Sequence, residues 1–236
     1  MTKLIEVVRQ DVFAFLKSNE ELLFNERDFQ MHLAMWLRNS TTRYDDVDVE
    51  YYVPKSELEN YIWDSELRLD IVVNKDGEYC PVELKYKTKK VERQLTRFDE
   101  QLHDKVVVMK NQGAQDLGMY DFWKDVRRVE LVRNRFERVK GGLAVFVTND
   151  AFYVRGSRKD SNNFLLNITN GVHSKRKHWA DSKVHALIHR EALQTLQHVL
   201  LLHKQPFPSR DRFQDSLLCE LLLPLQGTYQ LRCIRL

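Results

Sequence analysis

The sequence predicts an α/β fold in which a central mixed β-sheet of four or more strands is flanked by helices on both faces. Three stretches support this prediction: two alternating runs joined by a turn (67–86), a long run with helical apolar spacing (114–139) and a continuously apolar run (143–148). A continuously apolar strand is typical of one that is buried on both faces. Strand, long helix and buried strand in succession therefore indicate a sheet with a helix on each side.

The segment ahead of residue 60 predicts two helices and a strand. Residues 3–18 place apolar side chains at helical spacing, which is typical of an amphipathic covering helix. Asn25 is a suitable N-cap for a second helix, whose expected buried face comprises Phe29, Leu33, Trp36 and Leu37. Residues 46–53 alternate and are rich in β-forming residues, so they predict a strand that ends at Pro54.

The next stretch predicts a β-hairpin that brings three charged residues together. Residues 67–73 alternate, which predicts one apolar face along the whole strand and places Asp70 on the other face. Asp76-Gly77 is a strong signal for a two-residue hairpin turn. In the returning strand Glu83 and Lys85 share one face. The hairpin therefore places Asp70, Glu83 and Lys85 on the same side of the sheet.

The remaining chain predicts an insertion, a second half of the core and a C-terminal extension. The expected elements are a helical insertion (91–110), a long helix (114–139), a buried strand (143–148), a strand that pairs back (151–154), an amphipathic helix (179–203), an apolar core segment (217–225) and a final strand (227–236). We expect a single domain over residues 1–236, with its core at about 20–155 and a helical and strand extension over 156–236.

Composition narrows the class of protein. The chain has a net charge of +3 and a pI of about 8.6, which favours an anionic partner weakly. No apolar run has membrane-spanning length, and the N-terminus lacks the apolar segment of a signal peptide. The cysteines are far apart and form no C-x-x-C motif. We expect a cytoplasmic protein without a membrane partner.

The three charged residues of the hairpin can hold a divalent cation. Neighbouring carboxylates such as Asp70 and Glu83 repel each other unless a cation lies between them. Oxygen ligands suit Mg²⁺, for which Mn²⁺ can substitute, and the backbone carbonyl of Leu84 is a plausible further ligand. Lys85 could orient the attacking water or stabilise transition-state charge. The alternative is a solvated strand face with a weak ion pair. Asp181-Ser182-Lys183 repeats the spacing, but no strand with an Asp precedes it.

The order of the elements and acids resembles the PD-(D/E)XK nuclease superfamily, which has the restriction-endonuclease-like fold. The resemblance covers roughly residues 20–155 and depends on Asp70 in one strand and Glu83-Leu84-Lys85 in the next. It implies that Asp70 and Glu83 bind the metal and that Lys85 is catalytic. A helix in that superfamily often supplies a glutamate, which matches Glu26; the alternative is that Glu26 is simply a first-turn acid. Leu69 stands where the pattern has proline.

Further residues are assigned to the site or to the nucleic acid with alternatives left open. Gln115 and Tyr120 are similar to a glutamine and tyrosine pair on the next helix of some members, although they are one residue further apart. Together with Gln30 they are expected to support the metal ligands. The candidate nucleic-acid contacts are Lys87, Lys89, Lys90, Arg155 and Arg158. The alternative is that these cations are simply solvated.

The expected function is a Mg²⁺-dependent nuclease that hydrolyses phosphodiester bonds in DNA. One alternative is a catalytically silent nuclease fold that binds nucleic acid or protein, and another is an enzyme of a different phosphate chemistry. The sequence does not distinguish DNA from RNA, or endonuclease from exonuclease. A homodimer would suit cleavage of both strands of a duplex.

Overall fold

The structure is a computed structural model that describes residues 3–19, 22–39 and 43–169, followed by segments 171–173, 176–177, 187–188, 196–202, 217–222 and 229–235. The helices of these residues are α1 (Leu4–Ser18), α2 (Glu26–Asn39), α3 (Gln115–Arg135) and α4 (Phe152–Arg155). The strands are β1 (Asp46–Val53), β2 (Leu67–Lys75), β3 (Glu78–Lys87), β4 (Val91–Arg93), β5 (Thr96–Arg97), β6 (Glu100–Gln101), β7 (Val106–Met109), β8 (Gly142–Thr148), β9 (Gly171–His173), β10 (Arg176–Lys177), β11 (Leu187–Ile188), β12 (Leu196–Leu202), β13 (Leu217–Leu222) and β14 (Tyr229–Arg235).

A mixed sheet is the centre of the fold, as predicted. Its first four strands lie in the order β1-β2-β3-β8, and the sheet continues through β12, β13 and β14 to β9. Strands β1, β2 and β3 are antiparallel neighbours, whereas β3 and β8 run parallel. The parallel pair requires a crossover, which α3 provides. Helix α3 follows β3 in the chain, packs on one face of the sheet and leads into β8.

Helices cover both faces of this sheet, because alternate residues of the buried strand β8 belong to different apolar clusters. Leu143, Val145 and Val147 pack with α1 and α2, whereas Ala144 and Phe146 pack with α3. The expected buried face of α2 is confirmed at its three fully buried positions, Phe29, Leu33 and Leu37. In the described part of the chain, no helix is long and apolar enough to span a bilayer.

The helix predicted over residues 91–110 is wrong. These residues form an antiparallel β-ribbon, in which β4 pairs with β7 and β5 pairs with β6. The run Val106-Val107-Val108 explains the outcome, because β-branched side chains lose rotamer freedom in a helix and pack well in a strand. We call residues 91–109 the ribbon.

Two predictions near the C-terminal half also need correction. Residues 152–155 form the short helix α4 rather than a strand, because the Asp150 carboxylate accepts a hydrogen bond from the Phe152 N–H at 2.9 Å and caps the turn. Within the helix predicted over 179–203, residues 187–188 and 196–202 are strands. A short apolar run suits either structure, and β8 offers a continuously apolar partner to β12. The rest of that prediction lies outside the described residues.

The ends of the remaining elements agree more closely with the predictions. The long helix α3 ends at Arg135, ahead of the expected residue 139. Residues 217–222 of the apolar core segment form β13, which pairs with the predicted final strand β14. The extension is therefore a continuation of the central sheet in the residues that the structure describes.

Candidate active site

The candidate site lies where β1 and β2 lose their regular pairing. Residue pairs flank the position on both sides, but no pair joins Glu50 of β1 to Asp70 of β2. Glu50 has a φ of 52°, a left-handed conformation that non-glycine residues adopt uncommonly. The Gln30 side chain fills the gap: its amide nitrogen donates to the Asp70 carbonyl at 2.8 Å and to Glu50 Oε1 at 3.1 Å. A side chain of α2 therefore replaces the missing backbone partner.

Strands β2 and β3 separate at the same level. Their pairing ends at Ile71 and Val82, one residue short of Asp70 and Glu83. Beyond that point the Asp70 carboxylate accepts a hydrogen bond from the Leu84 N–H at 2.6 Å. The carboxylate therefore takes the place of a ladder carbonyl, which fixes Asp70 directly in front of β3.

The expectation of one apolar face along residues 67–73 is wrong because of this interruption. Leu67 and Leu69 belong to an apolar cluster near the C-terminal end of α3, whereas Ile71 and Val73 belong to the cluster beneath α1 and α2. The odd-numbered residues of β2 therefore lie on one face of the sheet before Asp70 and on the opposite face after it. Single-sequence alternation assumes an unbroken pleat and does not reveal such a change.

Glu83 is a buried acid whose negative charge Arg128 and Lys85 compensate only in part. Its side chain is only 3% exposed, and Oε1 has no hydrogen-bond partner among the described residues. Burial raises the pKa of Glu83 well above its ordinary value, and the negative charges of Asp125 and Asp70 raise it further. Burial also raises the pKa of Asp70 to about 6, against the Leu84 hydrogen bond, which lowers it. These two carboxyl groups therefore need a proton or an additional cation.

Lys85 lies between acids on both sides of the sheet. Its Nζ is 3.3 Å from Glu26 Oε1 and 3.2 Å from Asp125 Oδ2, and it donates to the Leu84 carbonyl at 3.3 Å. Burial alone would lower the pKa of Lys85, but the surrounding carboxylates outweigh burial and raise it above its ordinary value. Lys85 is therefore a positioned, permanently charged ammonium group.

Asp125 was not predicted from the sequence. It lies on α3, it is 3% exposed, and its second oxygen is 3.5 Å from the Arg128 guanidinium. A signal was present, because Asp125 falls among the apolar residues of the buried stripe of α3, beside Phe122 and Val126. An acid in such a stripe needs a buried cation, which Lys85 and Arg128 provide.

Glu26 contacts Lys85 and β3 from α2, which is the direction that one of the two sequence alternatives requires. One carboxylate oxygen contacts Lys85, and the other accepts a hydrogen bond from the Tyr86 N–H at 2.9 Å. Gln30 also reaches the site, through its bond to Asp70. The role of Glu26 as a metal ligand stays a prediction, as does that of the Leu84 carbonyl.

Gln115 and Tyr120 form hydrogen bonds with different partners, which lie outside the carboxylate site. The Gln115 amide donates to Asp150 at 3.3 Å, and the Tyr120 hydroxyl accepts a hydrogen bond from the Trp63 indole at 3.2 Å. Neither contact involves Asp70, Glu83 or Lys85. Their assignment as supports of the metal ligands stays a prediction.

The predicted nucleic-acid contacts are distributed along the rim and beyond it. Lys87 lines the open cleft in front of Asp70, together with Glu26 and Gln112. Four of the five predicted contacts form ion pairs: Lys87 with Asp121 (4.0 Å), Lys89 with Asp150 (3.5 Å), Lys90 with Glu92 (2.5 Å) and Arg158 with Asp160 (3.5 Å). The fifth, Arg155, is an exposed residue at the end of α4. The pairs of Lys90 and Arg158 are exposed on both sides and are therefore weak, whereas Asp150, the partner of Lys89, is buried.

The residues fit a divalent cation held by few protein ligands. No cluster of three or more His, Cys, Asp or Glu side chains in the described ranges has metal-binding geometry. The charge of Asp70, however, raises the pKa of Glu83, and Glu83 Oε1 has no hydrogen-bond partner among the described residues. Mg²⁺ commonly takes one or two carboxylates and keeps several waters, so this pair matches its needs.

The arrangement thus combines two cation-demanding carboxylates, a fixed ammonium group and an open cleft. Such a set can bind a metal ion and stabilise negative charge that develops on a bound phosphate. Scans against protein-family models and searches of curated proteins and of solved structures gave no match to this chain.

Proposed function

We propose that this protein is a Mg²⁺-dependent nuclease with a PD-(D/E)XK-type site, and that its substrate is DNA. The observation that carries the proposal is the convergence of Asp70, Glu83 and Lys85 where β2 and β3 separate. The order β1-β2-β3-β8, with α3 between the last two strands, is compatible with the restriction-endonuclease-like fold. Sequence resemblance and site geometry support the same function through the same three residues.

In this proposal Asp70 and Glu83 hold Mg²⁺, with the Leu84 carbonyl as a further ligand. Mg²⁺ supplies charge neutralisation at the phosphate and lowers the pKa of water. The unsatisfied Oε1 of Glu83 and the raised pKa of both carboxyl groups favour this role. Binding removes the repulsion between the two carboxylates.

Lys85 acts beside the phosphate as a permanent cation. Its raised pKa makes it a poor general base, because the ammonium group does not release its proton near neutral pH. Its contribution is therefore to donate hydrogen bonds to the attacking water or to a phosphate oxygen. Glu26 and Asp125 hold the ammonium group from opposite sides and define its position.

The test is cleavage of supercoiled plasmid and of labelled single-stranded and double-stranded DNA in Mg²⁺ or Mn²⁺. We expect cleavage by the wild-type protein, its loss in EDTA, and a loss of at least about a hundredfold in Lys85→Ala and Asp70→Ala. The matched control is Lys75→Ala at the other end of β2, whose side chain donates a hydrogen bond to the Arg43 carbonyl at the surface.

The outcomes separate an enzyme from a silent binding module. Metal-independent binding of DNA, unchanged by Asp70→Ala and without cleavage in either metal, would contradict nuclease activity. Thermal melting with Mn²⁺ gives a second readout, because a ligand that binds only the native state stabilises it. We expect the Mn²⁺-induced rise in Tm to disappear in Glu83→Gln.

A further inference from the structure

The tip of the ribbon presents an aromatic ring to solvent. Phe98 is 98% exposed, the most exposed large apolar side chain in the ranges that the structure describes. Phe98 and Asp99 form the turn between β5 and β6, with φ angles of 53° and 65°. Turns with two left-handed residues favour Asn-Gly, and a bulky residue in this conformation is strained. Phe98 therefore contributes neither packing nor good turn geometry to the fold.

The ribbon begins and ends at the candidate active site. It follows directly on the Lys85-Tyr86-Lys87 end of β3, and Thr88 accepts a backbone hydrogen bond from the Gln112 N–H at 2.8 Å. Gln112 lines the same cleft as Asp70. Any chain bound in that cleft therefore passes the base of the ribbon.

The tip of the ribbon returns to the rim of the same cleft. The Arg97 guanidinium lies 5.5 Å above the ring of Phe24, which immediately precedes the cleft residues Asn25 and Glu26. Phe98 follows Arg97 directly, so the turn that carries its exposed ring is next in the chain to the residue that contacts Phe24. The base of the ribbon and Arg97 near its tip are thus both in contact with residues that line the cleft or directly precede its lining residues.

The body of the ribbon is held in place while its tip is free of packing. Val91, Leu95 and Val106 pack against the main apolar cluster. The Leu102 N–H donates to the Leu95 carbonyl at 2.8 Å, which connects the two short ladders. An anchored ribbon can present Phe98 to a ligand without a large ordering cost.

The charge of the ribbon and its base favours nucleic acid as the ligand. Residues 87–110 contain seven Lys or Arg residues and four Asp or Glu residues, so this segment has a net charge of +3. The whole chain also has a net charge of +3. Cations beside an exposed aromatic ring are typical of proteins that follow a phosphate backbone and stack on its bases.

We propose that the ribbon is a nucleic-acid-holding arm and that Phe98 stacks on a base adjacent to the phosphate at the candidate site. This inference rests on the proposed nuclease function and specifies its substrate class. A ring can stack only on a base whose face is open. The arm therefore selects single-stranded or locally unpaired nucleic acid over a regular duplex.

The test measures binding by fluorescence anisotropy in EDTA, with fluorescein-labelled single-stranded DNA and the same sequence as a duplex. We expect Phe98→Asn to weaken single-strand binding by roughly tenfold, because stacking on aromatic side chains contributes at this level, and to leave duplex binding nearly unchanged. Phe98→Trp retains single-strand affinity. Val107→Asn, at an exposed position of the same ribbon, is the matched control.

Thermal melting separates loss of binding from loss of folding. Asn tolerates left-handed φ angles, and the ring is exposed, so Phe98→Asn should melt no lower than the wild type. Equal single-strand affinity of Phe98→Asn and the wild type would overturn the inference. Self-association that depends on Phe98, with unchanged DNA binding, would overturn it in favour of a protein contact.

The same measurements distinguish failure of the arm from failure of the nuclease. Cleavage by the wild type with unaltered KM in Phe98→Asn would overturn the arm and leave the nuclease. Single-strand binding that requires Phe98, without cleavage in Mg²⁺ or Mn²⁺, would support the arm and contradict the nuclease. Absence of both binding and cleavage would overturn both.

Discussion

The two faces of β3 differ in chemistry, although alternate residues of one strand form them. Val82 and Leu84 belong to the apolar cluster beneath α1 and α2 and are fully buried. Glu83 and Lys85 face the opposite side, where Asp125 of α3 lies. Because side chains alternate along a strand, the ten residues of β3 contribute both to the apolar core and to the candidate active site.

The difference teaches where the free energy of folding is gained and where it is lost. Apolar burial stabilises the α1–α2 side by roughly 25 cal/mol for each Å² removed from water. On the α3 side, burial of acids opposes folding unless cations compensate them. Lys85 and Arg128 form ion pairs with Asp125, yet Glu83 Oε1 and Asp125 Oδ2 both lack a hydrogen-bond partner among the described residues. The candidate site residues and the incompletely compensated acids therefore lie on the same face of β3.

The largest expected effect contrasts neighbouring residues of β3. Leu84→Ala should lower the free energy of unfolding by about 2–5 kcal/mol, because it leaves a cavity in the apolar cluster. Glu83→Gln should raise it at neutral pH in EDTA, because the amide needs no counter-charge. Urea unfolding measures both, with Val107→Ala as an exposed control. Equal destabilisation by Leu84→Ala and Glu83→Gln would remove the contrast between the faces.

The second prediction concerns the pH dependence that Asp70 imposes without metal. Its pKa rises from 3.8 to about 6 on folding, so the folded state holds the proton more tightly than the unfolded state. Stability is therefore greatest below the lower value and falls as the pH increases towards about 6. The loss approaches about 3 kcal/mol at 1.36 kcal/mol per pKa unit.

Denaturant titrations from pH 4 to pH 7 in EDTA check this dependence. Asp70→Asn should abolish the Asp70 contribution and be the more stable protein at pH 7. Mg²⁺ should restore stability to the wild type at neutral pH. A free energy of unfolding that increases with pH in the wild type relative to Asp70→Asn would contradict a raised pKa of Asp70.

The contrast between the faces also explains which features the sequence predicts. The period-two pattern and the Asp76-Gly77 turn predict β2, β3 and their charged residues, because these signals are local. The continuously apolar run predicts the buried strand β8. Helical spacing likewise predicts α2 but leaves open whether Glu26 points towards the sheet, as it does in the structure. Regular elements and side chains one pleat apart are thus predictable from spacing.

Other features depend on long-range contacts that spacing does not encode. The break at Asp70 requires Gln30 from α2 and the unusual backbone of Glu50. The role of Asp125 depends on the approach of α3 to Lys85, 40 residues before it in the chain. The apolar run of β12 is ambiguous between helix and strand until β8 pairs with it. Tertiary partners decided each of these outcomes.

The third prediction sharpens the assignment of Asp125 to the reactive face. Asp125→Asn weakens the hold on Lys85 and should lower kcat by roughly tenfold, because small errors in position are costly in catalysis. Metal-induced stabilisation should persist, since Asp70 and Glu83 are unchanged. Asp121→Asn, one helical turn earlier and 40% exposed, is the matched control. Equal kcat losses in the two variants would leave Asp125 without a specific role.

The smallest expected effect tests the backbone break that separates the two faces. At Glu50 the left-handed φ of 52° strains any residue with a Cβ atom, so Glu50→Gly should be more stable than Glu50→Ala by about 1 kcal/mol. At Tyr51, in the regular part of the same strand, the order should reverse, because glycine weakens an extended strand by about 0.5–1 kcal/mol relative to alanine. Both pairs lack the original side chain, so each difference reports the backbone alone. If alanine is the more stable residue at both positions, then the strand is regular at Glu50 and another cause must turn β2 at Asp70.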